Sequence, residues 1–207
     1  MNLRLTQPLE VRHVYIGKPY FTVIQKESMT MMLRRAGLLL AVMAAAVGVV
    51  LPTSVATADP YCGITWGSGL KTASSTAWGP MVGLRAGRHD CYDRLVFDVD
   101  NSANGYWVSY VDTVTYDGSG TPVPLRGGAR LSVAVHAPAY DDSGAETYTF
   151  ANKSELVNVN GYQTFRQVAW AGSFEGATTV GLGVRARLPF RVHTLPGRIV
   201  IDVAHHW

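Results

Sequence analysis

The chain has few of the features that announce a reaction or an address. It has only 2 cysteines in 207 residues, neither with a neighbour at zinc-ligand spacing, and it lacks the Gly-x-Ser-x-Gly elbow of a serine hydrolase. Its main apolar run, Ala36 to Leu51, stops at Pro52 and falls short of the roughly 20 residues that span a bilayer. No long amphipathic helix is legible after it, which excludes a mostly helical domain. Charge is scarce too, at 16% of residues. Six of the 18 Lys+Arg precede Asp59, against two of the 15 Asp+Glu, so the remainder is close to neutral and slightly acidic. Without a basic patch, a nucleic-acid partner is excluded.

What is present starts with Arg34-Arg35, the apolar run and then Ala56-Thr57-Ala58 before Asp59-Pro60. That is the layout of a secretory signal with a small-residue cleavage site. Residues 29–58 are therefore read as a signal peptide, starting at Met29, Met31 or Met32. Residues 1–28 are read as an extension upstream of the true start, against the alternative of a cytoplasmic extension on an anchored protein. Residues 59–207 then form a single exported domain with no stable membrane span after cleavage. In an oxidising compartment the pair Cys62 and Cys91 reads as a disulfide. It closes a loop of about 30 residues, worth roughly 3–4 kcal/mol in the chain-entropy model.

Alternation of period two recurs through this domain. Leu95, Phe97 and Val99 point inward, as do Leu131, Val133 and Val135; Val180 to Leu188 and Ile199, Ile201, Val203 repeat the pattern. Tyr106 to Tyr116 has the aromatic and β-branched content of a strand. Turn residues separate the runs: Asp117-Gly-Ser-Gly120, the Tyr140–Gly144 loop, Asn160-Gly161 as a tight hairpin, and Pro196-Gly197. Many short strands of this kind predict an all-β sandwich or barrel. One echo stands out. Asp93-Arg-Leu-Val-Phe-Asp-Val99 and Gly197-Arg-Ile-Val-Ile-Asp-Val203 share Arg, aliphatic, Val, apolar, Asp, Val, either as ordinary core strands or as equivalent strands of two sheets.

With Leu188-Pro-Phe-Arg-Val192, that pair of strands resembles the AMIN-like domain of exported actinobacterial proteins, which is related to the N-terminal domain of periplasmic amidases. The likeness runs from about Tyr61 to Trp207. It implies a two-sheet β-sandwich with no active site, placed in the cell envelope by binding peptidoglycan.

Sugar rings stack their C–H faces on exposed aromatic rings, which makes Tyr106, Trp107 and Trp170 candidates for contact with a glycan. Because Tyr106 and Trp107 are adjacent on a strand, one of them faces away from the other. Arg185 and Arg187 are expected to share an outer face, with Arg191 nearby and Glu175 pairing with one of them; such a row suits carboxylates or anionic envelope polymers. Asp98 and Asp202 are the one acidic pair comparable to a glycosidase's, and pairing with Arg94 and Arg198 is the plainer role. His205 and His206 read as surface residues, and no metal or cofactor is expected. The expected function is a non-catalytic envelope module, secreted and either released or held at the wall, that recognises peptidoglycan or another wall glycan. The alternatives are a protein-interaction subunit that pairs by a sheet edge and a small secreted hydrolase.

Overall fold

The computed structural model describes residues 60–207 except Ser102; the signal peptide and upstream extension expected over 1–58 lie outside the described residues. A 3-10 turn at Tyr61–Gly63 is followed by β1 (Lys71–Ala73), β2 (Met81–Arg88), β3 (Tyr92–Val99), β4 (Tyr106–Val111), β5 (Ala129–Val135), β6 (Phe165–Phe174), β7 (Ala177–Val184), β8 (Phe190–Leu195) and β9 (Arg198–Ala204). They make two antiparallel sheets, a five-stranded one ordered β1-β4-β5-β7-β6 and a four-stranded one ordered β2-β3-β9-β8. The two pack as the expected sandwich, and the described residues contain no α-helix.

The inward-facing alternation builds the core. Leu95, Phe97, Ile199, Ile201 and Val203 of one sheet meet Leu131, Val133, Val135, Val180, Leu182 and Val184 of the other, all buried. Each such side chain contributes about 1.5–3 kcal/mol of hydrophobic burial. The tyrosine of β4 adds a polar tie. Tyr110 Oη donates to the Leu188 carbonyl at 2.6 Å and accepts from the Leu188 N–H at 3.0 Å, so it holds the connection between β7 and β8.

Several expectations need correction. The strand expected over Tyr106–Tyr116 ends at Val111, because Val114 leaves the sheet to pack with Val123, Ala169 and Ala171 in a second small core. Asn160-Gly161 is a turn but not a hairpin, since it leads from irregular chain into β6. A tight hairpin is found instead at Glu175-Gly176, where both residues have positive φ (50° and 80°) and Phe174 faces Ala177, the backbone of a two-residue turn. The two echoed strands do not sit in separate sheets: β3 and β9 are antiparallel neighbours in one sheet. Their shared pattern then places Arg94 opposite Asp202 and Asp98 opposite Arg198.

Burial pushes the Tyr110 hydroxyl up to about 12 from an ordinary value of 10.0, against the lowering effect of the Leu188 hydrogen bond and the nearby Arg187. The folded state therefore keeps a proton that the unfolded chain releases, so this contribution is intact below pH 10 and is lost as pH rises through about 12. Urea midpoints are expected to fall across that window, and Tyr110→Phe is expected to flatten the fall while lowering stability at pH 7 by about 1–2 kcal/mol for the unpaired Leu188 groups.

Candidate functional site

An aromatic groove lies beside β6, the edge strand of the larger sheet. The irregular segment before β6 runs along that edge, with the Trp170 N–H donating to the Lys153 carbonyl at 2.7 Å and the Leu156 N–H to the Val168 carbonyl at 2.9 Å. It brings Tyr148 and Phe150 against Trp170, with ring centroids 6.2 and 4.9 Å from the indole. These rings line a cavity of about 310 Å³ with Tyr140, Glu146 and Ser173. β6 bulges between Trp170 and Gly172, just before Ser173, and at Gly172 (φ 150°) a Cβ would approach the Asp117 carboxylate to 2.6 Å. Phe150 is 37% exposed, and Glu146 is exposed with no side-chain partner among the described residues. One wall is thus built of aromatic rings, and an unengaged carboxylate stands at the rim to accept hydroxyl or amide protons.

The sequence candidates scatter around the sandwich. Trp170 is in the groove, and Glu175 is on the adjoining hairpin, where the Gly176 N–H donates to Tyr140 Oη at 3.2 Å. Tyr106 packs against the core, and Trp107, 40% exposed, faces solvent from the opposite side of β4, so the pair divides as the alternation predicts. The expected arginine row does not form. β7 ends at Val184, after which Arg185 turns to the His205 carbonyl and Arg187 lies 4.8 Å from the Tyr110 ring. Glu175 pairs with neither, because the whole of β7 separates its hairpin from Arg185, about 26 Å at the usual strand rise. Arg191 belongs to the other sheet.

On the outer face of that sheet, Asp202 is 0% exposed and takes three charged bonds. Arg94 donates to it from Nε at 2.6 Å and Nη2 at 2.9 Å, and Arg191 from Nε at 2.8 Å. Asp202 is therefore buried rather than on a solvated face. Asp98 pairs with Arg85 at 2.8 and 2.9 Å. The pairings cross between strands, not along them. Asp98 and Asp202 stand four register steps apart, about 13 Å, and both are engaged by guanidinium groups, unlike the closely spaced acids of a glycosidase.

A second polar group was not singled out from sequence. Asp93, 0% exposed, accepts from the Thr164 N–H at 2.6 Å and the Phe165 N–H at 2.9 Å, and its other oxygen is 3.2 Å from His205 Nε2. His205 Nδ1 faces the Asp90 carbonyl at 3.2 Å. His205, expected at the surface, is buried, because it continues the ladder of β9 beside the start of β3, its N–H donating to the Cys91 carbonyl at 2.9 Å, and so meets this carboxylate. Arg88, His89 and Gln163 complete a cavity of about 370 Å³ over the pair. With both ring nitrogens directed at acceptors, the imidazole has none left for a substrate proton.

Cys62 and Cys91 are joined, as expected. The bond fastens the segment before β1 to the start of β3, where Trp66 lies 6.0 Å from Tyr92.

A family model described as AMIN-like domain matches residues 79–205, which takes in β2 to β9 and leaves Cys62, Trp66 and β1 outside. No curated protein and no solved structure matches the chain.

Proposed function

Because the chain belongs to the AMIN-like domain family, we propose that it is a non-catalytic binding module that recognises peptidoglycan or another wall glycan outside the cytoplasm. In this reading the leader over 29–58 is removed and residues 59–207 are the working domain. The observation behind it is the groove of Trp170, Phe150 and Tyr148 with Glu146 at its rim, which offers stacking faces and an acceptor to a hydroxylated ring. The Asp93–His205 pair has no free ring nitrogen, and Asp98 and Asp202 are tied to arginines. Both arrangements favour binding over hydrolysis.

The sheet edges favour a glycan over a strand-adding protein. β6 is covered by the segment through Lys153 and Leu156, the Phe190 N–H of β8 donates to the Gly67 carbonyl, β2 is bulged between Met81 and Gly83, and β1 is only 3 residues long. Edges blunted in these ways resist strand addition.

The purified protein is expected to sediment with protein-free sacculi, and Trp170→Ala and Phe150→Ala are each expected to weaken retention by about tenfold, the loss of roughly 1.4 kcal/mol of stacking and burial. Trp107→Ala, on the flat opposite face, leaves retention unchanged. Retention only on wall preparations that keep their proteins would support the interaction-subunit alternative, and release of soluble muropeptides would support the hydrolase.

A further inference from the structure

The outer face of the four-stranded sheet holds a site that the groove does not use. Arg94 and Arg191 share the single buried carboxylate of Asp202, which leaves one positive charge uncompensated there. The neighbouring Arg85–Asp98 pair balances itself, and exposed Arg198 stands across from Asp98. His193 shares this face with Arg191, two residues along β8. Burial holds its imidazole below the usual histidine range, so it adds no compensating anion or further cation, and its buried Nδ1 has no hydrogen-bond partner among the described residues.

Arg191 is held in an unusual way for a surface arginine. Its guanidinium carbon lies 5.5 Å from the Trp66 ring and 5.4 Å from the Tyr92 ring, and Nε is committed to Asp202. The two Nη atoms have no protein partner among the described residues, while the side chain is 32% exposed. A guanidinium fixed by two rings and one ion pair, with its Nη edge unengaged, loses little rotamer freedom on binding. That flat two-donor edge matches a planar carboxylate in bidentate contact.

One of the two rings comes from the segment ahead of β1. Trp66 Nε1 donates to the Tyr61 carbonyl at 2.8 Å, Cys62 is bonded to Cys91, and the Phe190 N–H donates to the Gly67 carbonyl at 2.9 Å. The disulfide and this bridge thus hold Trp66 against Tyr92, and the guanidinium of Arg191 packs on that pair of rings. Both Cys62 and Trp66 lie outside the family-matched range.

We propose that Arg191, packed against the paired rings of Trp66 and Tyr92 and oriented by Asp202, binds a ligand carboxylate in a site assembled by the Cys62–Cys91 disulfide. The carboxylate comes from either a peptide C-terminus or an acidic sugar. The site is separate from the groove and stands whether or not the groove binds glycan.

The test is NMR of the full protein, following the Trp66 indole N–H and Arg191 Nε–H during titration with four probes. These are acetyl-D-alanyl-D-alanine, N-acetylmuramic acid, N-acetylglucosamine and glycerol phosphate. Saturable shifts with the dipeptide, the acidic sugar or both are expected, and which of the two acts identifies the source. The neutral sugar leaves both resonances in place, and the Trp170 indole does not follow the carboxylate. Arg191→Gln is expected to weaken binding at least about tenfold. Trp66→Leu and Cys62→Ser, which keep the guanidinium but loosen the ring pair it packs on, are expected to weaken it less. The proposal is overturned if neither carboxylate probe shifts these resonances, if glycerol phosphate alone does, or if a folded Arg191→Gln protein binds as the parent does.

Discussion

Replacing Asp202 by alanine lowers the thermal unfolding midpoint by about 10 °C. Asp202 is 0% exposed and faces two guanidinium groups, so its removal leaves two cations without the anion that separates them. Breaking a buried pair in this way costs about 3–5 kcal/mol. Arg94 and Arg191 are partly exposed, and water reaching them places the cost near the lower end. For a domain of this size each kcal/mol is worth about 3–4 °C. Asp202→Asn keeps the shape and one acceptor oxygen, but turns an amide N–H₂ toward an arginine, and falls between the two. Scanning calorimetry in low and high salt checks the origin: added salt narrows the gap by screening the repulsion between the guanidiniums. Asp98→Ala is the control. It occupies the same place in the echoed motif, but its pair with Arg85 is exposed, and losing it costs no more than about 1 kcal/mol. Equal effects at the two positions would contradict the burial of Asp202.

That contrast marks how far the sequence could be read. Alternation along β3 and β9 assigned Leu95, Phe97, Ile199 and Ile201 to the core correctly, because period two fixes which face a side chain takes. It does not fix what covers the other face. Val96, Val200 and Asp202 are buried on the side expected to be solvated, and Arg94 and Arg191 close over Asp202 there. The echoed motif invited comparison of β3 with β9, yet its meaning lay in the antiparallel register, which sets each arginine against the other strand's aspartate. The groove was half legible. Trp170 stood out by residue type, whereas Tyr148 and Phe150 come from irregular chain whose path depends on backbone bonds to Lys153 and Leu156. Arg185 and Arg187 misled because a strand pattern ending in arginines does not reveal where the strand stops. Asp93 and His205 gave no signal, since the contact between them joins residues 112 apart in sequence.

Asp93 governs the second large effect. Its carboxylate, on the smaller sheet, accepts the Thr164 and Phe165 N–H groups at 2.6 and 2.9 Å where β6 of the larger sheet begins, and it faces His205 Nε2. Thr164 Oγ1 also donates to the Ala204 carbonyl at 3.2 Å, so one end of the sandwich is sewn through this cluster. Asp93→Ala orphans two buried N–H groups and a ring nitrogen, at about 1–3 kcal/mol for each group left without a partner. Three such groups sum to about 3–9 kcal/mol, and water that re-pairs part of the cluster brings the expected loss to about 3–6 kcal/mol, read as a fall in the urea midpoint with an unchanged slope. The adjoining cavity of about 370 Å³, lined by Arg88, His89 and Gln163, is roomy and polar enough to admit water. Water entering the space left by alanine re-pairs part of the cluster, so Asp93→Leu, which fills that space with an apolar side chain, is expected to be the more damaging variant. Asp93→Asn costs least, because its carbonyl still accepts from the backbone. In native-state hydrogen exchange the Thr164 and Phe165 amides are expected to lose protection first in Asp93→Ala, ahead of the β5 and β7 amides. If those two amides exchange no faster than in the parent, the carboxylate is not what anchors the start of β6.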